Sequence, residues 1–289
     1  MNFQISESTP RNPGQLMVSK SPATATTLAQ TRYISADRES RQRVVLIHGF
    51  TQNGASFREI ASTLASNFPF EVICVDLPGH GGSSGIKADL GQTANLLSPL
   101  GMESIWVGYS LGARNLLTLC LLNPDHTWKV ILSGVNPGIE DETERYQRYQ
   151  DDLALAAKIR LLKDDPAGFK EFLKSWMALP LFQPRITRSS DIETRLANSP
   201  DGLANSLEST SVGVQPNLWP EIVKLRGKLT LITGGSDSKY LRIAERAKAS
   251  LENCKGLEIS CEVIDGLGHA AIFDHPQTLI DAVASRVDI

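Results

Sequence analysis

Short runs of apolar, often β-branched residues alternate with longer amphipathic stretches along most of this chain. VVLIH (44–48), EVICVD (71–76), SIWVGY (104–109) and WKVILSG (128–134) read as buried strands, and the stretches 56–66, 90–100 and 111–122 between them read as helices. That alternation predicts a mostly parallel, doubly wound sheet with helices on both faces, because a strand buried on both sides carries a continuous apolar run. The pattern changes over 138–225, where 144–162 and 168–179 are the clearest helices and no strand stands out. It then resumes with KLTLITGG (228–235), a helix at 241–251, LEISCEVID (257–265) and a helix at 277–287. The reading is therefore an α/β core formed by 41–137 and 226–289, interrupted by a helical lid at 138–225. Such an insert would cover the carboxyl ends of the strands, where open α/β sheets bind ligands. Residues 1–40 carry weaker signals: Asn2–Ile5 and Thr31–Ser35 as short edge strands, with loop between them.

Composition narrows the function classes. Hydrophobic residues make up 41% and charged residues 21% of 289, with a formal net charge of −3. No basic surplus or polybasic run points to nucleic acid or to an anionic membrane. Cys74, Cys120, Cys254 and Cys261 form no CxxC pair, and the first two fall in apolar runs, which suits reduced core cysteines better than a disulfide framework or a zinc site. No apolar run is long enough to span a bilayer, and the N-terminus lacks a basic-then-apolar leader. A soluble, cytoplasmic protein is the expectation, with its oligomeric state left open.

The chemistry-bearing pattern begins at Gly108-Tyr109-Ser110-Leu111-Gly112, a G-x-S-x-G pentapeptide between a strand and a helix. The small flanking residues let strand and helix approach closely, and the turn lifts the Ser110 hydroxyl to a helix N-terminus. There the backbone N–H of Leu111 can face a developing negative charge. His48-Gly49-Phe50 ends the first strong strand, so the Phe50 N–H is the candidate second oxyanion donor. A serine needs a base. Of five histidines, His269 stands between the last strand and the last helix, where the chain order Ser…Asp…His places it. His48 and His80 read as loop-shaping, His126 as solvated and His275 as a helix-start residue. Asp237, the acid in the loop after 228–233, is the candidate orienting carboxylate, with a helix N-cap as its competing role. This set is that of an α/β-hydrolase fold. Families with Asp at the elbow, such as haloalkane dehalogenases and epoxide hydrolases, are disfavoured, and a non-catalytic receptor on this fold would not need the intact set.

The motifs go further. VLIHGF (45–50), VDLPGHGGS (75–83), WVGYSLGAR (106–114), NPG (136–138) with ERYQR (144–148), LESTSVGVQPNL (207–218), GSDSKY (235–240) and GLGH (266–269) together resemble the 2-succinyl-6-hydroxy-2,4-cyclohexadiene-1-carboxylate (SHCHC) synthases. These are lyases of menaquinone and phylloquinone biosynthesis within the α/β-hydrolase superfamily. The resemblance runs from about Val44 to the C-terminus and includes the lid. It implies that Arg114, Arg148 and Arg195 bind the carboxylates of a small multi-carboxylate substrate, and it places Tyr109 and Trp176 near that substrate. Taken singly, an Arg on a helix is usually a solvated charge and a buried aromatic usually core. Arg114 differs, lying one helical turn beyond Ser110, where its fork is aimed near the site.

The implied reaction removes pyruvate from 2-succinyl-5-enolpyruvyl-6-hydroxy-3-cyclohexene-1-carboxylate. Ser110 acts as base with His269 and Asp237, and the Phe50 and Leu111 N–H groups hold the oxyanion. No metal or cofactor is implied. A carboxylester or carbon–carbon bond hydrolase using the same triad as nucleophile is the alternative that residue chemistry alone leaves open. Three places depart from the family pattern: Ala113 where a second Gly is frequent, Ile272 where a polar residue is frequent, and a longer first 40 residues.

Overall fold

The computed structural model describes residues 15–35, 42–184 and 188–286. One eight-stranded sheet runs through it: β1 (Leu16–Ser21), β2 (Gln30–Ser35), β3 (Gln42–Ile47), β4 (Phe70–Val75), β5 (Ile105–Tyr109), β6 (Trp128–Ser133), β7 (Gly227–Gly234) and β8 (Leu257–Ile264), in the spatial order β1-β2-β4-β3-β5-β6-β7-β8. The pairs from β4 through β8 are parallel; β1 with β2 and β2 with β4 are antiparallel. The strand expected at 31–35 is present as β2, but not at the edge: β1 pairs on its outer side and β4 on its inner side. The loop expected before it is instead partly strand, since LMVSKS forms β1 and pairs Leu16 with Ser35 through Ser21 with Gln30. The expected strand at Asn2–Ile5 lies outside the described residues.

Period-two burial splits the central strands between two cores. Val45, Ile47, Ile73, Val75 and Trp106 face α2 (Leu90–Leu97), α3 (Leu111–Leu122) and α8 (Ser238–Leu251). Val44, Leu46, Val72, Cys74, Ile105 and Val107 face α1 (Arg58–Asn67) and α10 (Pro276–Ala284). Ile272, in the one-turn α9 (Ala271–Asp274), is fully buried in this second core, which explains an apolar residue three places past His269. Cys74 and Cys120 are buried free thiols.

Between β6 and β7 come the helices α4 (Glu142–Arg160), α5 (Pro166–Met177), α6 (Ser189–Arg195) and α7 (Pro200–Thr210). They bury a third apolar cluster around Ile159, Phe169, Leu173, Met177, Leu203 and Leu207. Asp141, Asp165 and Ser199 cap α4, α5 and α7 by accepting a backbone N–H from the first turn. On the outside, Arg160 forks onto Glu208 at 2.8 and 3.0 Å, tying α4 to α7. Phe50 packs against both the first sheet core and this lid cluster, so the loop after β3 is where lid and sheet meet.

At the start of α3, helix and strand approach too closely for side chains. A β-carbon on Gly112 would lie 2.2 Å from the Ile47 carbonyl oxygen, and one on Gly108 2.7 Å from the Ala113 Cα. We expect Gly112→Ala to destabilise the protein by about 2 kcal/mol or more, since it forces backbone apart in a filled core. Thermal denaturation of the purified variant measures it; an unchanged melting temperature would show that α3 can shift freely.

Candidate active site

β5 delivers Ser110 to the sheet edge and α3 starts at the next residue. Ser110 adopts φ 53° and ψ −108°, a strained backbone for a residue with a β-carbon. Its N–H donates to the Ser133 carbonyl at 2.8 Å, which pins the turn to β6. The hydroxyl thus stands at the head of a twelve-residue helix, beside the Leu111 N–H, a first-turn donor with no acceptor in its own helix.

The loop after β8 brings His269 to this hydroxyl. Its Nε2 is 3.0 Å from Ser110 Oγ and its Nδ1 2.7 Å from Asp237 Oδ2, and both partners in the latter pair are almost fully buried. The carboxylate takes the Nδ1–H, which leaves Nε2 as acceptor for the serine proton. Asp237 combines the two roles weighed for it. Oδ2 meets the histidine, while Oδ1 accepts the Tyr240 N–H at 3.2 Å and caps α8. Room for the imidazole comes from Gly134, at φ 61°, where a β-carbon would sit 2.4 Å from His269 Cε1. The lid supports the histidine loop: the His269 N–H donates to the Leu181 carbonyl at 3.0 Å, and the Phe182 ring lies 5.9 Å from the imidazole.

A cavity of about 310 Å³ opens above this array. Ser110 and His269 line it, with Phe50, Leu111, Tyr109, Arg114, Arg148, Arg195 and Trp176, so the structure gathers every side chain singled out from the sequence except Asp237, which stands behind His269. Phe50 meets Trp176 edge-on at 5.2 Å, and Tyr109 lies 5.3 Å from the His269 ring. Arg114 donates to the Thr210 carbonyl at 2.6 Å and to Gln215 Oε1 at 3.0 Å, and burial lowers its pKa to about 10, which leaves it a cation at neutral pH. Arg148 donates to Asp152 at 2.9 Å, a buried carboxylate that also accepts from Ser211 at 2.6 Å. Arg195 is buried and donates to Thr51 Oγ1 at 2.6 Å. With Lys239, four cationic side chains and one carboxylate, Asp152, line the cavity among the described residues. Such a cavity selects for anions.

Lys239 and Tyr240 were passed over in the sequence, although GSDSKY contains both. Tyr240 lies 4.2 Å from the His269 ring, and burial raises its pKa, so its hydroxyl keeps its proton. His126 departs from the solvated reading: it is half-buried, its Nε2 is 3.0 Å from the Met102 carbonyl oxygen, and it packs edge-on against Trp128. His48 and His80 are fully buried, 4.9 Å apart, under the loop that carries Phe50. Nε2 of His48 accepts the Leu77 N–H at 3.0 Å. Burial lowers the two pKa values from 6.5 to about 4 and about 3. Among the described residues no group of three or more His, Cys, Asp or Glu could hold a metal ion, and no helix is long and apolar enough to cross a membrane.

Comparison with known proteins places this geometry. A model of the "Alpha/beta hydrolase family" matches residues 44–282. The SHCHC synthase of Serratia proteamaculans is 29% identical over 256 residues, covering 86% of this chain and 93% of the relative. A putative SHCHC synthase of Bacillus subtilis is 27% identical over 259 residues, covering 85% and 91%. Among solved structures, MenH from S. aureus superposes with a TM-score of 0.75 at 26% identity, over 89% of this chain and 96% of that one. A thermophilic esterase from Thermogutta terrifontis superposes at 0.70 with 18% identity over 93% and 97%, a likeness of fold.

Two outcomes are expected. Asp237→Asn retains a cap for α8 but no longer stabilises the correct imidazole tautomer. It should lose on the order of 10⁴ in turnover, with a melting temperature close to the parent's. Acid should also destabilise the fold through His48 and His80. In the unfolded chain each takes a proton near pH 6.5, and in the folded chain only near 4 and 3. Between those limits the unfolded state binds more protons, so stability falls as pH is lowered, by roughly 3 kcal/mol or more per histidine once both states are protonated. Denaturant melts from pH 7 to pH 4 read this directly, and His80→Asn should flatten the dependence.

Proposed function

The chain belongs to the alpha/beta hydrolase family, and on that premise we propose that it is a carbon–oxygen lyase of menaquinone or phylloquinone biosynthesis, an SHCHC synthase. Its substrate is 2-succinyl-5-enolpyruvyl-6-hydroxy-3-cyclohexene-1-carboxylate and its products are SHCHC and pyruvate. The observation that carries the reading is the cavity itself: Arg114, Arg148, Arg195 and Lys239 converge on the same space as Ser110 and His269. A multi-carboxylate substrate supplies the charge that such a cluster lacks. The relatives named SHCHC synthase, matched over 85–86% of this chain, support the same assignment.

The chemistry follows from the parts. Ser110 Oγ, relieved of its proton by His269 Nε2 at 3.0 Å, removes a proton from the ring carbon next to the succinyl carbonyl. Charge develops on that carbonyl oxygen, where the Phe50 and Leu111 N–H groups receive it. Collapse of the enolate breaks the ring carbon–oxygen bond, and the enolpyruvate that leaves takes up a proton to become pyruvate. Asp237 holds the imidazolium while it carries the serine proton. Arg114, Arg148 and Arg195 bind the carboxylates and orient the ring. Tyr109 and Trp176 wall the cavity against water.

A serine hydrolase uses the same triad, so the test separates the two. Purified protein given the enolpyruvyl substrate should release pyruvate without added metal, followed by coupled NADH oxidation. Absence of release together with fast cleavage of p-nitrophenyl esters would identify a hydrolase instead. Arg114→Ala should lower kcat/KM about 10²-fold, the scale of one lost charge-assisted contact, while the far-ultraviolet circular dichroism stays unchanged. An unaltered kcat/KM would remove Arg114 from the carboxylate clamp.

A further inference from the structure

The loop that carries Phe50 is in an expensive conformation. Thr51 has φ 68°, the left-handed region, which a β-branched residue adopts only where its surroundings over-determine it. Those surroundings belong to the lid. Asn198, three residues past the end of α6 and 5% exposed, donates through Nδ2 to the carbonyls of Thr51 at 2.7 Å and Gln52 at 3.3 Å. Its Oδ1 accepts the Gly81 N–H at 2.7 Å, in the turn after β4. One buried amide therefore satisfies three backbone groups on two core loops, 147 and 117 residues away from it. Neighbouring bonds reinforce the seam: Asn53 Nδ2 donates to the Thr194 carbonyl at 2.7 Å, and within the loop the Gly49 N–H donates to Gln52 Oε1 at 3.0 Å.

We propose that Asn198 is a positioning residue that sets the oxyanion donor of this enzyme from the lid: it holds the Thr51 and Gln52 carbonyls so that the Phe50 N–H faces the reacting oxygen. The proposal rests on the reading of Phe50 as an oxyanion donor and not on the identity of the substrate. It makes the completeness of the oxyanion site depend on lid docking, because the loop's holder lies on the element that covers the cavity. Asn198 touches no reacting atom; it acts through the carbonyls of the two residues that follow Phe50. Its loss should therefore appear in the chemical step and leave substrate binding by the arginines nearly intact.

The test compares Asn198→Asp and Asn198→Ala with Arg160→Ala. Aspartate still accepts from Gly81 but cannot donate to Thr51, whereas alanine loses both ties. Arg160→Ala loosens the lid by breaking the pair with Glu208 on its outer face, far from the loop. Both Asn198 variants should lose roughly 10- to 100-fold in kcat with KM within about threefold, as expected for a misplaced donor. Arg160→Ala should lower the melting temperature and hold kcat within about twofold. A kcat of Asn198→Asp within threefold of the parent would overturn the proposal. So would a loss confined to KM, or an equal loss in Arg160→Ala, which would reduce Asn198 to lid integrity. The same ratios are read from the rate at which diethyl p-nitrophenyl phosphate reacts with Ser110 and releases p-nitrophenolate. A parent protein that releases no pyruvate but shows that ratio refutes the lyase reading and leaves the positioning role standing.

Discussion

Helix α3 starts where it does because two residues have no β-carbon. The contacts around Gly108 and Gly112 allow β5, β3 and α3 to approach within van der Waals distance, and the strain at Ser110 is the result of that approach. Once the serine is fixed there, the rest of the site has a target. The loop after β8 carries an imidazole to Oγ, the loop after β7 carries a carboxylate to the imidazole, and the loop after β3 brings Phe50 to the same cavity. These three loops meet the serine at one end of a parallel sheet, as expected where the carboxyl ends of neighbouring strands converge.

The lid adds charge to the sheet end. The sheet end presents a triad suited to many acyl and proton-transfer reactions, and the fold alone does not choose among them. Arg148 and Arg195 come from lid helices and Arg114 from the core, and all three line one cavity. Each already has a protein partner: a carbonyl and an amide for Arg114, a carboxylate for Arg148, a hydroxyl for Arg195. The arginines are therefore held in place before any ligand arrives, and little side-chain freedom remains to be lost on binding.

Much of this was legible because its signals are local. The elbow is five consecutive residues. The chain order of Ser110, Asp237 and His269 follows from strand order, and a parallel strand buried on both faces announces itself as an unbroken apolar run. What escaped has the opposite character. LMVSKS (16–21) forms β1 at the sheet's edge with almost all of its length exposed, so it has no apolar face to announce a strand. Asn198 sits at a helix exit, where an asparagine is ordinarily a turn residue, and its importance lies in partners more than a hundred residues away. Lys239 and Tyr240 belong to a helix start whose first-turn orientation toward the cavity no one-dimensional pattern encodes.

The lid leaves the sheet after β6 and rejoins it at β7, and these two strands are hydrogen-bonded neighbours. Its two ends are also joined directly, the Leu218 N–H donating to the Pro137 carbonyl at 2.8 Å. The insert is thus a detour of the chain with a single neck, and among its described residues none joins the sheet. A chain built this way can exchange its cap by recombination at one point while the frame beneath keeps its registration, so new substrates can be explored above the same Ser110, His269 and Asp237.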